Sequence, residues 1–412
     1  MNHSEDWQQS YDELLDQLTD TLNPTATNLE TLSGVVQAFL WGKASEDTLL
    51  YYLSEQFHVE KEQLPELVMG LVDMKRNFPP PENNPSAASL EAELPKVSII
   101  ITTYNRKEFL NQAIQSILMQ DYPRKEIIVI DDCSTDGTDI LMKQSFGGDA
   151  RVIYMRNEKN RGPGHNRRLA FAAHADGEYI LFLDDDDYLI DRSYLSQAVD
   201  FHLLHPETSF VAANVFLKYS QTEQLKISSL GLSEIINKQD YFMNFEQKGY
   251  PKPASTLTTV FKREALIQMD ILNMNMVNDA SIYLRSLLIG DAGFIDVIAG
   301  VYRIHGNNIT FNLSQSFLIE NLEEKMLIKN MAIEQYGYNA KEMNQWFNHN
   351  VYDTIYYYLM NSAKSYKDFE AMYVWAHTHC PGIYDRLRRE FRVKLMKKQL
   401  LRVSLIRTLL KK

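Results

Sequence analysis

At 412 residues, with 45% hydrophobic and 11% aromatic side chains, the chain is long enough for two or three domains and has the composition of a globular protein. Its formal charge of −12 argues against generic nucleic-acid binding, and its two cysteines, Cys133 and Cys380, exclude a disulfide framework and a cysteine-based zinc site. We find neither an apolar run long enough to span a bilayer nor a signal peptide, and therefore expect a cytoplasmic protein.

The first 78 residues are predicted to be helical. Apolar residues recur at intervals of three and four between Leu49 and Leu53 and between Leu64 and Val72, which is the spacing of a buried helix face. Residues 79–95 begin with three consecutive prolines and lack this periodicity, so we expect an extended linker. The chain is therefore predicted to begin with a small separate helical unit.

Strand-like runs then alternate with helix-like segments. The clearest runs are 97–102, 127–130, 152–154 and 180–183. This alternation predicts an α/β fold with an open, largely parallel sheet, in which ligands bind beyond the carboxyl ends of the strands. Polar clusters follow three of these runs, at residues 102–106, 131–136 and 184–187. We therefore expect the three clusters to meet in one binding site.

The third cluster consists of four consecutive carboxylates, Asp184–Asp187, called the acidic run below. Adjacent carboxylates repel one another and cannot be buried without a cation or solvent to compensate them. Mg²⁺ and Mn²⁺ bind carboxylate oxygens and commonly bridge such a site to phosphates. The acidic run thus predicts a metal and diphosphate site, although taken alone it is also typical of a solvated loop tip or a structural Ca²⁺ loop.

Together the three clusters resemble the motifs of family 2 glycosyltransferases, which have the GT-A fold. The resemblance covers about residues 96–310 and depends on three motifs in the expected order, at residues 97–106, 130–138 and 177–187. It implies an inverting, metal-dependent enzyme that uses Mn²⁺ or Mg²⁺ and moves a sugar from a nucleotide sugar, a UDP-sugar being expected, to an acceptor hydroxyl.

The resemblance assigns the nucleotide to the first two clusters. Thr102 and Tyr104 match positions that contact the base, Tyr104 by stacking, and Asp132 matches the carboxylate that accepts from a base N–H. Alternatively, Tyr104 packs on the end of the sheet and Asp132 caps a helix that begins near Thr135. Cys133 replaces the glycine that is usual in this motif.

In the acidic run, the resemblance implies that Asp185 contacts the ribose and that Asp186, together with Asp184, holds the metal. The metal would neutralise the nucleoside diphosphate as it leaves. Arg161 and Arg167 match the loop and helix that face the donor, where they would pair with the diphosphate. An alternative for these two arginines is a plain surface charge.

An inverting transfer needs a base that takes the acceptor proton. Asp279, at a predicted helix start, matches the acidic motif of the family and is the candidate catalytic base; its alternative role is the N-cap of that helix. His305 lies in a segment that follows this motif and is a candidate metal or diphosphate contact, or else a structural histidine.

The N-terminal unit resembles the helical part of PqqD-like peptide-recognition domains, on the residues 22–27, 40–43, 49–57 and 64–74. That family binds leader peptides by adding a strand to a small sheet. A plain helical dimerisation or docking unit fits the same residues. The acceptor class therefore stays open between a glycan, a lipid-linked acceptor and a peptide.

Residues 311–412 are predicted to be helical, with a basic tail. From Gly382 to Lys412 there are eleven Lys/Arg and two acids, a local charge of +9 that leaves −21 for the rest of the chain. A basic amphipathic helix suits the anionic inner face of the cell membrane, where we expect peripheral contact. A terminal helix packed on its own domain or on a partner fits equally well.

One rival enzyme class is a nucleotidyltransferase of similar α/β architecture. Such an enzyme would release pyrophosphate and would favour a glycine-rich phosphate loop after its first strand. The residues that follow Thr102 contain no such loop, which favours a glycosyltransferase. The other rival is a non-catalytic binding protein with a decayed site, and intact candidate residues at all three strand ends argue against it.

Overall fold

The structure is a computed structural model. It describes residues 3–22, 24–40, 42–59, 63–77, 94–306, 314–363 and 366–390. Most of the predicted linker and the whole basic stretch from 391 to 412 lie outside the described residues. Within the described part of the chain, no helix is long and apolar enough to cross a bilayer.

The described strands form one mixed sheet around which the site is built. They are β1 (Val97–Thr103), β2 (Lys125–Asp131), β3 (Val152–Arg156), β4 (Tyr179–Asp184), β5 (Tyr188–Leu189), β6 (Thr208–Tyr219), β7 (Gln224–Ser228), β8 (Ile235–Ile236), β9 (Thr259–Lys262) and β10 (Asp291–Ile304). Their order is β3-β2-β1-β4-β9-β6-β10-β5, with β7 beside β6 and β8 beside β10.

The first half of the sheet is parallel, as predicted. In the register, Thr103 of β1 lies opposite Asp131 of β2, and Thr102 lies opposite Asp184 of β4. Since parallel strands end at the same edge, this register brings the three polar clusters together. Every residue of β1 and β2 is buried, which explains their continuous apolar sequences.

The second half of the sheet adds antiparallel pairs. β9 lies antiparallel between β4 and β6, whereas β10 runs parallel to β6. Directly after the acidic run, β5 turns back and pairs with β10, so that Tyr188 lies opposite Val301. The acidic run therefore lies between the end of β4 and the short strand β5, which is paired with β10.

Helices cover the sheet and extend the chain at both ends. They are α1 (His3–Leu22), α2 (Ala26–Leu40), α3 (Glu46–Phe57), α4 (Leu64–Asn77), α5 (Lys107–Leu118), α6 (Thr138–Leu141), α7 (Pro163–Ala173), α8 (Tyr194–Leu204), α9 (Lys238–Asn244), α10 (Arg263–Gln268), α11 (Asp279–Ile289), α12 (Gln315–Glu334), α13 (Ala340–Asn361) and α14 (Tyr366–His379). Short π- and 3₁₀-helical segments span Met142–Phe146 and Ile271–Asn273.

The helices α1 to α4 belong to the same compact unit as the sheet, which comprises residues 1–245 and 249–305. Their apolar faces share one core with β5, β6, β7 and β10, in which Tyr52 and Leu53 meet Phe216 and Ile298. We expected a separate N-terminal unit; the helices instead pack on the sheet because the strands present an apolar face to them. The domain boundaries and the resemblance to peptide-recognition domains remain predictions.

The second compact unit comprises residues 246–248 and 306–412. Its described part is helical, as predicted, and consists mainly of α12, α13 and α14. The aromatic-rich segment of α13 contributes Tyr352 and Tyr358 to the buried residues, although Tyr357 is 43% exposed. Tyr352, Ile355 and Tyr358 therefore serve as core.

Candidate active site

The ends of β1 and β4 meet directly. Thr103 Oγ1 donates a hydrogen bond of 2.7 Å to Asp185 Oδ2. Thr102 beside it is buried, while Tyr104, the next residue after the strand, is 48% exposed. A ring that is half exposed at the carboxyl edge of the sheet is available to stack on a planar ligand.

Asp132 organises the loop that leads into α7. Asn157 Nδ2 and the backbone N–H of Arg161 donate to its Oδ1 at 2.9 and 2.8 Å, and the backbone N–H of Gly162 donates to Oδ2 at 2.8 Å. Burial alone raises the pKa of Asp132, but these donors outweigh it and lower the pKa below its usual value. Asp132 is thus kept charged at the carboxyl edge of the sheet.

The alternative in which Asp132 caps the following helix is wrong. Gly137 precedes α6, and Asp136 Oδ1 accepts from the backbone N–H of Thr138 at 3.1 Å. Asp132 faces the opposite side, toward Gly162. The residue after it, Cys133, has φ of 69°, the left-handed region that favours the glycine it replaces.

The acidic run offers a set of metal ligands. Carboxylate oxygens of Asp184, Asp186 and Asp187 all lie within 4.8 Å of one another. Hard divalent cations such as Mg²⁺ and Mn²⁺ prefer this donor type, so the residues present fit the expected ion. Sequence reasoning missed Asp187, which is buried, because alternation along a strand does not predict which way a tight turn aims its side chains.

Cations and donors already surround the acidic run. Arg106 Nη1 lies 3.0 Å from Asp185 Oδ1 and 2.6 Å from Asp186 Oδ2. His305 Nε2 lies 2.8 Å from the same Asp186 oxygen. Arg106 was not among the predicted site residues, although it stands in the motif that ends β1 and its charge was a usable signal.

Burial and mutual repulsion shift the proton affinities of this cluster. Burial, followed by the charge of Asp186, raises the pKa of Asp185 to about 7, against the opposing effect of Arg106. Burial also raises the pKa of Asp187 well above its usual value, and repulsion from Asp186 and Asp184 adds to the effect. The positive charge of a divalent ion would offset both the burial and the mutual repulsion of these carboxylates.

Arg167 joins the acidic run to the candidate base. Its Nη2 donates to Asp184 Oδ1 at 2.7 Å and its Nη1 donates to Asp279 Oδ1 at 3.0 Å. Arg167 is only 5% exposed, whereas the side chains of Asp184 and Asp279 each keep 36% of their surface. Arg167 is therefore a buried bridge between two accessible carboxylates and not a plain surface charge.

Asp279 begins α11 without capping it. Asn278 is the N-cap, and its Oδ1 accepts from the backbone N–H of Ser281 at 2.9 Å; the capping alternative for Asp279 is wrong. Burial is the main cause of the raised pKa of Asp279, and Asp184 adds to it while Arg167 opposes it. The Asp279 carboxylate is therefore not used to cap α11.

Arg161, the second arginine predicted to face the donor, and the neighbouring Arg168 differ in their contacts. Arg161 is exposed, and its Nη1 lies 3.5 Å from His165 Nε2. Arg168 instead donates to the carbonyl oxygens of Met274 and Asn275. Arg161 thus keeps a solvent-facing guanidinium at the edge of the site.

Residues 98–270 match the model of glycosyl transferase family 2. This segment, 173 of the 412 residues, is similar to that family. The matched segment contains the three strand-end clusters, while Asp279 and His305 lie beyond it. The prediction of a family 2 glycosyltransferase is confirmed, and the mixed, largely parallel sheet with helical ends confirms the predicted fold class.

Two relatives illustrate the range of similarity. TuaG of Bacillus subtilis, named as a teichuronic acid biosynthesis glycosyltransferase, is 27% identical over 60% of this chain and 96% of its own length. The GalNAc(5)-diNAcBac-PP-undecaprenol beta-1,3-glucosyltransferase of Campylobacter jejuni is 33% identical over 42% of this chain. This match spans only about half, 53%, of the Campylobacter enzyme.

A solved structure shows the same fold. Residues 1–349 of TarS from Staphylococcus aureus, crystallised with UDP-GlcNAc, superpose with a TM-score of 0.53 at 19% identity, over 68% of this chain and 78% of that chain. The fold is therefore GT-A, and the site lies at the carboxyl ends of its parallel strands.

Proposed function

We propose that this glycosyltransferase is an inverting enzyme that uses a divalent metal ion and a UDP-sugar, and that its acceptor belongs to a surface glycan. One observation carries the mechanism: the buried Arg167 bridges Asp184 and Asp279 through contacts of 2.7 and 3.0 Å. A candidate metal ligand and a candidate base therefore lie one side chain apart, as a transfer between a donor phosphate and an acceptor hydroxyl requires.

The nucleotide would bind at the ends of β1 and β2. Tyr104 offers an exposed ring for stacking on the base. Asp132 stays ionised because three donors hold it, and an ionised carboxylate accepts from a base N–H. Thr102 lies opposite Asp184 in the register of β1 and β4 and would contact the base, and Asp185 would contact the ribose.

Asp184, Asp186 and Asp187 would hold the Mn²⁺ or Mg²⁺ ion, with His305 beside Asp186. When bound, the ion supplies Lewis-acid stabilisation to the charge of the leaving diphosphate. Arg106, which contacts Asp185 and Asp186, fixes the orientation of these carboxylates. The exposed Arg161 is a further candidate for contact with the diphosphate.

In the reaction, the acceptor oxygen forms a bond to the anomeric carbon from the face opposite the diphosphate. The bond between that carbon and the phosphate oxygen breaks, and UDP leaves with the electron pair. The proton of the acceptor hydroxyl passes to a carboxylate oxygen of Asp279, which acts as general base. Arg167 orients Asp279 for this step by holding one of its oxygens.

Acceptor choice is supported by what the relatives are named for. TuaG is named for teichuronic acid biosynthesis, and the Campylobacter enzyme for transfer of glucose to an undecaprenol diphosphate-linked glycan. The glycans in these two names are a teichuronic acid and an undecaprenol-linked glycan, which support a surface or lipid-linked acceptor. Membrane contact by the basic tail, of which residues 391–412 lie outside the described residues, fits such acceptors.

The direct experiment incubates the full chain with Mn²⁺ and a panel of UDP- and GDP-sugars, and identifies the nucleotide that is released. The proposal predicts UDP from at least one UDP-sugar, and any glycoside formed should have the anomeric configuration opposite to that of the donor. Release of pyrophosphate, or release of GDP alone, would contradict it.

A further inference from the structure

We propose that helix α3 is part of the active-site framework and that Tyr51 on this helix is a positioning residue for the acidic run. This role rests on the proposed function, since the acidic run is the proposed metal and diphosphate site. The contacts run from α3 through Tyr188 and Arg303 to the backbone and side chains of Asp186 and Asp187.

The first step is that α3 is anchored on the sheet at both of its ends. Near its start, Thr48 Oγ1 donates to the carbonyl oxygen of Ile298 at 3.1 Å. Near its end, Gln56 Oε1 accepts from the backbone N–H of Leu225 at 3.0 Å. Between these anchors, the ring of Tyr52 stacks on Phe216 at a centroid distance of 5.7 Å. The helix therefore has a fixed position relative to β6, β7 and β10.

The second step joins the helix to the residue that follows the acidic run. The hydroxyls of Tyr51 and Tyr188 share a hydrogen bond. Their rings meet edge to face, with centroids 5.9 Å apart. Tyr188 is 3% exposed, so its hydroxyl has little access to water as a substitute partner. A buried hydroxyl that loses its partner is costly, and the side chain must then shift.

The third step joins Tyr188 to the acidic run through Arg303. The Arg303 guanidinium contacts two rings, with its Cζ 4.4 Å from the centroid of Tyr188 and 4.6 Å from that of Phe109. From this position Arg303 Nη1 donates to the backbone oxygen of Asp186. The backbone N–H of Arg303 donates to Asp187 Oδ1 at 3.0 Å. Arg303 thus holds the main chain of Asp186 and the side chain of Asp187, which are both candidate metal ligands.

These contacts make a continuous path between α3 and two proposed metal ligands. Mutation of the groups that hold the ligands of a metal in place typically weakens metal binding by about 10–100-fold. If the Tyr188 ring shifts, the Arg303 guanidinium loses one of the two rings that it contacts. Arg303 then no longer fixes the position of Asp186 and Asp187. The N-terminal helices therefore contribute to donor binding although they carry none of the proposed ligands.

The test compares two neighbouring tyrosines in the full-length chain. Tyr51→Phe removes the hydroxyl that meets Tyr188, whereas Tyr52→Phe removes one that donates to the carbonyl oxygen of Asn28, within the N-terminal helices, at 3.3 Å. Amide hydrogen exchange of residues 184–189 is measured by mass spectrometry, and Mn²⁺ binding is measured in the presence of UDP. We expect faster exchange and about tenfold weaker Mn²⁺ binding for Tyr51→Phe, with wild-type values for Tyr52→Phe.

A Tyr51→Phe/Tyr188→Phe double variant adds a second comparison. Since it leaves neither hydroxyl without a partner, its exchange rate and Mn²⁺ affinity should be no worse than those of Tyr51→Phe alone. Wild-type exchange in Tyr51→Phe, or an equal change in Tyr52→Phe, would overturn the positioning role. If the wild-type protein binds no Mn²⁺, the proposed function fails, while the exchange comparison still decides the role of Tyr51.

Discussion

Replacement of the candidate base offers the sharpest mechanistic test. In Asp279→Asn the side chain keeps its size but no longer accepts a proton, and loss of a general base typically costs about 10²–10⁴-fold in rate. We expect the rate of sugar transfer to fall by about this factor. The affinity for UDP should stay close to that of the wild type, because Asp279 is not among the groups assigned to the nucleotide.

The structure also indicates what the same change does to stability. A buried charge left without a partner costs about 3–5 kcal/mol. Arg167 avoids this fate in Asp279→Asn because Asp184 still accepts from it at 2.7 Å and the new amide oxygen is able to accept at the other nitrogen. We therefore expect a stability loss below about 2 kcal/mol, and the variant should fold.

Asp149→Asn is the matched control. Asp149 also pairs with an arginine, Arg151, at 2.6 Å, but it precedes β3 at the edge of the sheet opposite the acidic run. Transfer is assayed by UDP release with acceptor, and UDP affinity by calorimetry. Equal turnover by Asp279→Asn and wild type would remove Asp279 as the base; loss of UDP binding together with transfer would assign it a binding role instead.

Two further outcomes follow from the site. Tyr104 is 48% exposed, so Tyr104→Ala should leave the melting temperature unchanged while calorimetry shows UDP binding weakened by about 1–3 kcal/mol. Tyr104→Phe keeps the ring and should bind UDP normally, and equal UDP binding by the two variants would refute stacking. Asp185, whose pKa is raised from 3.8 to about 7, binds its proton more tightly when folded, so its stabilising effect is lost as pH rises through this window. In EDTA, chemical denaturation should show a smaller fall in stability between pH 4 and pH 7 for Asp185→Asn, and an unchanged fall would contradict the shift.

Much of the site was predictable because of the register of the parallel strands. Once Thr103 and Asp131 end adjacent parallel strands, they must lie at one edge, and the acidic run must join them there. The types of residue at that edge then limited the chemistry to cations and phosphates. Local sequence and topology were sufficient for this part.

The remaining contacts depend on packing between distant segments. Arg167 meets Asp279 across 112 positions and Tyr51 meets Tyr188 across 137 positions, and neither pairing leaves a periodic signal in the sequence. The docking of α3 was not predicted for the same reason. Its apolar spacing indicates a buried face, but the spacing is the same whether that face packs on other helices or on a sheet.

Metal-dependent nucleotide binding is the central claim, and calorimetric titration of UDP tests it most directly. The wild type is titrated in Mn²⁺ and in EDTA, beside Asp186→Ala, which lacks one of the oxygens within the 4.8 Å cluster. We expect tight binding only for the wild type in Mn²⁺, and weak binding of equal strength in both buffers for Asp186→Ala. A wild-type UDP affinity that is the same in Mn²⁺ and in EDTA would contradict a metal role for the acidic run.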